Sequence, residues 1–90
     1  MWAVMVTKGA AKEIRKLPAI ELEKYTLWLN IVRNDGPQGL REIKSFHDEK
    51  LHGEWAGHRS SRLSLKWRLI YRVEESTVMA FIEEVTPHKY

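Results

Sequence analysis

Hydrophobic and polar positions alternate most strictly between Arg59 and Val73. Ser61, Leu63 and Leu65 fall on one side of an extended arm, and Ser60, Arg62 and Ser64 on the other. In the next arm Trp67, Leu69, Tyr71 and Val73 make an apolar side opposed by Arg68, Ile70 and Arg72. Two such arms predict a β-hairpin turning at Leu65 and Lys66. Residues 2–7 are rich in strand formers and predict a first strand. Residues 10–17 follow as a short helix whose apolar stripe is Ala10, Ile14 and Leu17. Pro18 cannot extend it and suits the start of the next helix. That helix is expected over residues 19–33. Leu22, Tyr25, Leu29 and Val32 form its buried face, widened by Trp28 and Ile31, and Asn34, Asp35, Gly36 and Pro37 stop it. Residues 39–57 show no period, with Phe46, Leu51 and Trp55 as expected anchors. A turn at 74–76 leads to a last strand over 78–85 and a tail ending in His88, Lys89 and Tyr90. The order β-α-α-β-β-β predicts one α+β domain over residues 1–90. In it two N-terminal helices pack on a mostly antiparallel, twisted, four-stranded sheet.

Composition narrows the class. The chain has 90 residues, 43% of them hydrophobic and four of them Trp, which is enough for one core without staples. There is no cysteine, so neither a disulfide framework nor thiolate chemistry is available, which fits a reducing cytoplasm. No apolar run is long enough to span a bilayer. Residues 1–6 lack the charged start and long apolar middle of a signal peptide. A net charge of +3 leans toward an anionic partner such as nucleic acid or an acidic protein.

Three chemistries are worth weighing. His47, Asp48, His52 and His58 are close in sequence, but their spacing matches no compact zinc pattern, so a metal site is disfavoured. Ser60, Ser61 and Ser64 alternate along a strand and form no nucleophile elbow, so they read as strand filler. A metal-free phosphodiester site fits better. Arg62 and Arg68 share the polar face of the hairpin, where like charges call for a counter-charge and planar guanidinium groups suit phosphate. The alternative is a solvated basic face balanced by Glu83 or Glu84. Cutting RNA also needs a base for the 2′-hydroxyl, for which Glu49 or a histidine is available. It needs an acid for the departing 5′-oxygen, for which His88 is available. Trp67 or Tyr90 could stack on an unpaired base, although core packing is the default for Trp67. Lys8, Lys12, Arg15 and Lys16 line the outer face of the first helix and could equally be plain solvated charge.

The stretch from Leu51 to Arg72, with its Leu51-His-Gly-Glu-Trp55 start and its Trp67-Arg-Leu-Ile-Tyr71 strand, resembles the RelE/ParE superfamily of toxins from bacterial toxin–antitoxin pairs. YafQ-, YoeB- and HigB-like branches are the nearest in flavour, and the element order and the His-containing tail agree. The resemblance implies a ribosome-dependent endonuclease that cuts mRNA in the ribosomal A site by 2′-hydroxyl attack, with no metal or other cofactor. It places Glu49 at the carboxylate-base position, Arg62 and Arg68 at catalytic arginine positions, and His88 and Tyr90 at the C-terminal His and aromatic positions. Lys89 separates the last two, where YoeB-like tails have them adjacent. Lys66 and Trp67 fall where YafQ-like chains carry an Asp-Trp pair, so a scheme based on that Asp is excluded. Lys8, Lys12, Arg15 and Lys16 would grip ribosomal RNA. The implied partners are a cognate antitoxin, the ribosome and mRNA, with no membrane. ParE-type members share the fold and poison DNA gyrase without cutting RNA, which is the alternative activity. A member without catalysis that only binds an antitoxin is a third.

Overall fold

The structure, a computed structural model, describes residues 1–87. It runs β1 (Ala3–Val6), α1 (Lys8–Ile14), α2 (Ala19–Asp35), 3-10 turns at Pro37–Glu42 and Lys44–Phe46, and β2 (Glu49–Lys50). A turn at Gly53–Trp55 then leads to β3 (Arg59–Arg62), β4 (Trp67–Glu74) and β5 (Met79–Pro87). The sheet order is β1-β5-β4-β3-β2. Only β1 and β5 run parallel; the other neighbours are antiparallel. The expected α+β architecture is present, with one correction: the sheet has five strands, not four. The extra strand, β2, has two residues, too few for a period-2 pattern to register.

Each helix boundary has a local cause. The Thr7 hydroxyl accepts from the Ala10 N–H and caps α1, so the helix starts at Lys8, two residues before the expected start. Gly36 ends α2 at φ +85°, a left-handed conformation that suits glycine, and its N–H bonds to the Val32 carbonyl. The face that α2 buries is Tyr25, Trp28 and Val32, with Leu29 and Ile31 partly buried. Leu22, expected inside, is 44% exposed; the helix is rotated so that Trp28 sits at the centre of the contact. The Trp28 ring meets Tyr71 of β4 edge-on at 5.3 Å. Phe46 is fully buried, as expected, and so is Leu40, which the lack of periodicity concealed.

The sheet core needs a bulge. Ile82 and Val85 are both buried, although an odd spacing puts residues on opposite faces of a regular strand. The register resolves the conflict: Ile70 pairs with Glu84 and Tyr71 with Ile82, leaving Glu83 as an inserted residue.

A polar network lies inside this core. The Asp48 side chain has no exposed surface. It accepts from Arg59 Nε at 2.7 Å, from the Ser61 hydroxyl at 2.7 Å and from the Tyr71 hydroxyl at 2.6 Å. Ser61 in turn accepts from the Trp28 indole N–H at 3.0 Å. Ser61 is therefore a fully buried junction between α2, β3 and the segment before β2, and not strand filler. Burial and then the bond to Asp48 push the Tyr71 phenol well above its ordinary 10.0. For Arg59, burial works to lower the pKa, but the hydrogen bond and charge of Asp48 outweigh it and raise it.

Asp48→Ala should destabilise the fold by about 3–5 kcal/mol, because it leaves Arg59 as a largely buried charge without its partner. Urea denaturation measures this. Ser61→Ala should cost about 1–3 kcal/mol, since both its partners lose a buried bond. Alkaline titration gives a sign test. Below pH 10 the Tyr71 phenol is protonated in the folded and the unfolded chain. Above it only the unfolded chain releases the proton, so stability should fall with rising pH. Tyr71→Phe should flatten that fall while lowering stability at neutral pH.

Candidate active site

The face of the sheet away from the helices is set by strand parity. Ser61 and Tyr71 point inward to Asp48, so Ser60, Arg62, Arg68, Ile70 and Arg72 belong to the outer face. Arg62 and Arg68 are direct cross-strand partners, and Thr86 of β5 continues their row. Directly opposed residues hold their Cβ atoms about 4.5–5.5 Å apart, and like charges so placed are unfavourable. Neither guanidinium has a carboxylate within 4.0 Å among the described residues. Arg68 Nε is buried and lacks a hydrogen-bond partner among them. Neither Glu83 nor Glu84 forms an ion pair with Arg62 or Arg68 among the described residues. Glu83 binds Arg72 Nε at 2.9 Å, and Glu84 lies opposite Ile70.

The hairpin turn is longer than expected. β3 ends at Arg62, and the loop of residues 63–66 closes with the Leu63 N–H bonding to the Trp67 carbonyl at 2.8 Å. Leu63 is buried as expected, while Leu65, expected on the same inner face, is 73% exposed because the loop has left the strand before reaching it. Lys66 is exposed in the loop. Trp67 is half-buried, with part of its ring packed against the core.

Glu49 lies on β2 opposite Ser60, one pleat from Arg62 and on the same outer face. Its carboxylate is 3.3 Å from His47 Nε2, and both side chains are about half exposed. His47 has φ 43° and ψ 48°, a left-handed conformation that costs a non-glycine residue roughly 1–3 kcal/mol and is met disproportionately at functional sites. A groove of about 710 Å³ between α2 and the hairpin loop is lined by His47 and Arg62, with Lys24, Lys44, Ile20, Leu27 and Leu65 around them. Sequence reading named His47 only as a metal-site candidate and one of several possible histidine bases. Its neighbour Asp48 is the anchor that fixes it, and no local pattern announces that. Among the described residues no three His, Cys, Asp or Glu side chains converge on a metal position.

The structure brings Glu49, Arg62 and Arg68 together on one face, with His47 beside them. Lys8, Lys12, Arg15 and Lys16 lie at or just after α1, which packs on β5 toward the other edge of the sheet. They are exposed, apart from the Arg62–Arg68 cluster, and Lys16 pairs with Glu13 at 3.5 Å. His88 and Tyr90 lie outside the described residues. β5 reaches Pro87 opposite Trp67. No helix among the described residues is long and apolar enough to cross a membrane.

No protein-family model matches the sequence, and no curated protein matches it. Solved structures do. The YoeB/ParE toxin from Agrobacterium tumefaciens superposes with a TM-score of 0.76 at 19% identity, covering 97% of this chain and 99% of that one. The archaeal RelE–RelB complex from Pyrococcus horikoshii OT3 contains a chain matching at 0.74 and 22% identity, with coverage of 96% and 93%. The heterotetrameric YoeB–YefM toxin–antitoxin complex from Staphylococcus aureus contains one matching at 0.72 and 17% identity, with coverage of 100% and 99%.

Arg68→Met keeps the apolar stem and removes the charge. It should leave stability unchanged or raise it by about 0.2–1 kcal/mol, because a repulsive cross-strand pair is relieved. Inorganic phosphate should raise the melting temperature of the native chain more than that of this variant in a thermal-shift series. The fold that carries this arginine pair is that of the RelE/ParE toxins.

Proposed function

We propose that this protein is the toxin of a toxin–antitoxin pair and acts as a ribosome-dependent endoribonuclease on mRNA in the A site. The observation that carries the reading is the pair Arg62 and Arg68, held side by side with no carboxylate within 4.0 Å of either among the described residues. A phosphodiester completes that charge arrangement, and its transition state, with added charge on the phosphoryl oxygens, completes it better. In the proposed step a 2′-oxygen forms a bond to phosphorus as its proton leaves to Glu49 or to His47, which Glu49 faces at 3.3 Å. The bond to the 5′-oxygen breaks, and that oxygen takes a proton from the acid, a role proposed for His88. The products are a cyclic phosphate and a 5′-hydroxyl. Lys66 and Trp67 flank the pair in sequence and are proposed to hold the RNA, with Tyr90 completing the site. Lys8, Lys12, Arg15 and Lys16 are proposed to meet ribosomal RNA on a separate surface. The scheme requires no metal and no other cofactor.

The antitoxin is proposed to be a small protein with acidic and amphipathic elements. The groove beside Arg62 suits such a partner, because exposed Ile20, Leu27 and Leu65 sit among Lys24, Lys44 and His47. Two of the matched folds were solved as RelE–RelB and YoeB–YefM complexes, which supports a partner of this kind.

The test compares three targets: programmed ribosomes, naked mRNA and DNA gyrase. Cutting of ribosome-bound transcript is the expected result. Arg62→Ala and Arg68→Ala should each slow it by roughly 10²–10³, or about 3–4 kcal/mol, with the fold intact. Gyrase poisoning without RNA cutting would establish the ParE-type activity instead.

A further inference from the structure

A second cavity, of about 530 Å³, opens at the other end of the hairpin, where β4 outruns β3. Its walls come from Trp2, the turn carrying Arg41, Lys50 of β2, the loop bearing His52 and His58, and the ends of β3 and β4. Four cations line it: Arg41, Lys50, Arg59 and Arg72; Glu75 is the one carboxylate among the described lining residues. Arg59 is committed to Asp48, and Arg72 to Glu83 at 2.9 Å and Glu74 at 3.3 Å. Arg41 and Lys50 have no carboxylate within 4.0 Å among the described residues. The cavity therefore presents two uncommitted cations beside planar rings. Trp2 is half-buried and tied through its backbone N–H to the Arg33 carbonyl at 3.2 Å. His58 is braced edge-on by Trp55 at 5.1 Å.

We infer that this cavity is a nucleotide pocket that takes one residue of a single-stranded RNA, its phosphate on Arg41 and Lys50 and its base against Trp2 or His58. The volume lies in the range of small-ligand sites, and stacking on a ring is indifferent to base identity. An acidic peptide would use the cations but not the rings. The place in the sheet matters as well. Arg72, which also lines the cavity, is on the same outer face as Arg68 and four residues along β4 from it, about 13 Å at strand rise. An RNA strand lying across the hairpin can thus occupy this pocket while an adjoining linkage lies on Arg62 and Arg68. The inference deepens the ribonuclease reading and rests on it for the identity of the strand.

The test uses the full chain, an Arg41→Ala/Lys50→Ala double variant and an Arg62→Ala/Arg68→Ala double variant. Arg41 and Lys50 are exposed, so the first variant should melt like the native chain. Adenosine 5′-monophosphate should bind the native chain more tightly than adenosine does. Removing Arg41 and Lys50 should weaken that binding at least tenfold, and removing Arg62 and Arg68 should not. Affinity for a short RNA carrying a 2′-methoxy block should fall similarly, with the log–log salt slope reduced by about 0.7 per phosphate lost. In cleavage, KM should rise for the first variant with kcat retained. Loss of affinity for the nucleotide and the naked oligonucleotide assigns the phosphate to the transcript, and loss of affinity for the nucleotide and the ribosome but not the oligonucleotide assigns it to ribosomal RNA. Unchanged nucleotide and RNA binding in the first variant overturns the pocket. So does a cavity that takes an acidic peptide and not the nucleotide. Retained cleavage in the second variant with lost nucleotide binding in the first would overturn the catalytic reading and leave the pocket standing.

Discussion

A single buried carboxylate sets the geometry on which the outer face depends. Asp48 gives up its hydration, which for an isolated ion costs several kcal/mol. Three donors offset the loss, one of them charged: Arg59, Ser61 and Tyr71. Through Ser61 the same network reaches Trp28 on α2, so one group ties the helix layer, β3, β4 and the irregular segment together. Hydrogen bonds are short-ranged and directional, so this anchor tolerates no slip in register. With Asp48 held beside Ser61, its neighbour Glu49 falls opposite Ser60, and His47 turns through a left-handed conformation into the groove. The inner face thereby positions the outer one.

Arginine serves two purposes three residues apart. Arg59 and Arg62 are separated by an odd number of positions on one strand, so they belong to opposite faces. The inward one finds a buried carboxylate and is consumed by structure; its side chain is only 17% exposed. The outward one finds another arginine and, among the described residues, no carboxylate within 4.0 Å. A fold under selection for stability alone gains nothing from an unneutralised cross-strand pair. The same logic separates Arg72, doubly paired and stacked at 3.9 Å over Phe81, from Arg68 two pleats away on the same face.

The likeness to solved toxins at 17–22% identity, over nearly whole chains, has a physical basis. A core built from aliphatic and aromatic groups accepts substitutions that conserve volume, so few positions need to be shared for the layers to pack alike. The polar face is less forgiving, because charge and donor direction are not interchangeable. The fold alone does not carry an activity, and the weight falls on the arginine pair and what surrounds it.

Much of this was written in local pattern. Strict alternation fixed the hairpin and put Arg62 and Arg68 on one face, since a period of two follows from backbone geometry alone. Pro18 and Gly36 ended or joined helices through conformational limits that need no partner. Other features depended on groups far apart in the chain. The burial of Asp48, the junction role of Ser61, the two-residue β2 and the strained turn at His47 exist only because β3 and β4 are already paired. The bulge at Glu83 arose because Ile82 and Val85 both seek the core, a demand no single strand can meet in regular form. Leu22 was left outside because the large Trp28 ring took the centre of the helix contact. Periodicity reports how a segment would divide its faces; which face meets which neighbour, and which charge finds a counter-charge, is decided by packing between segments.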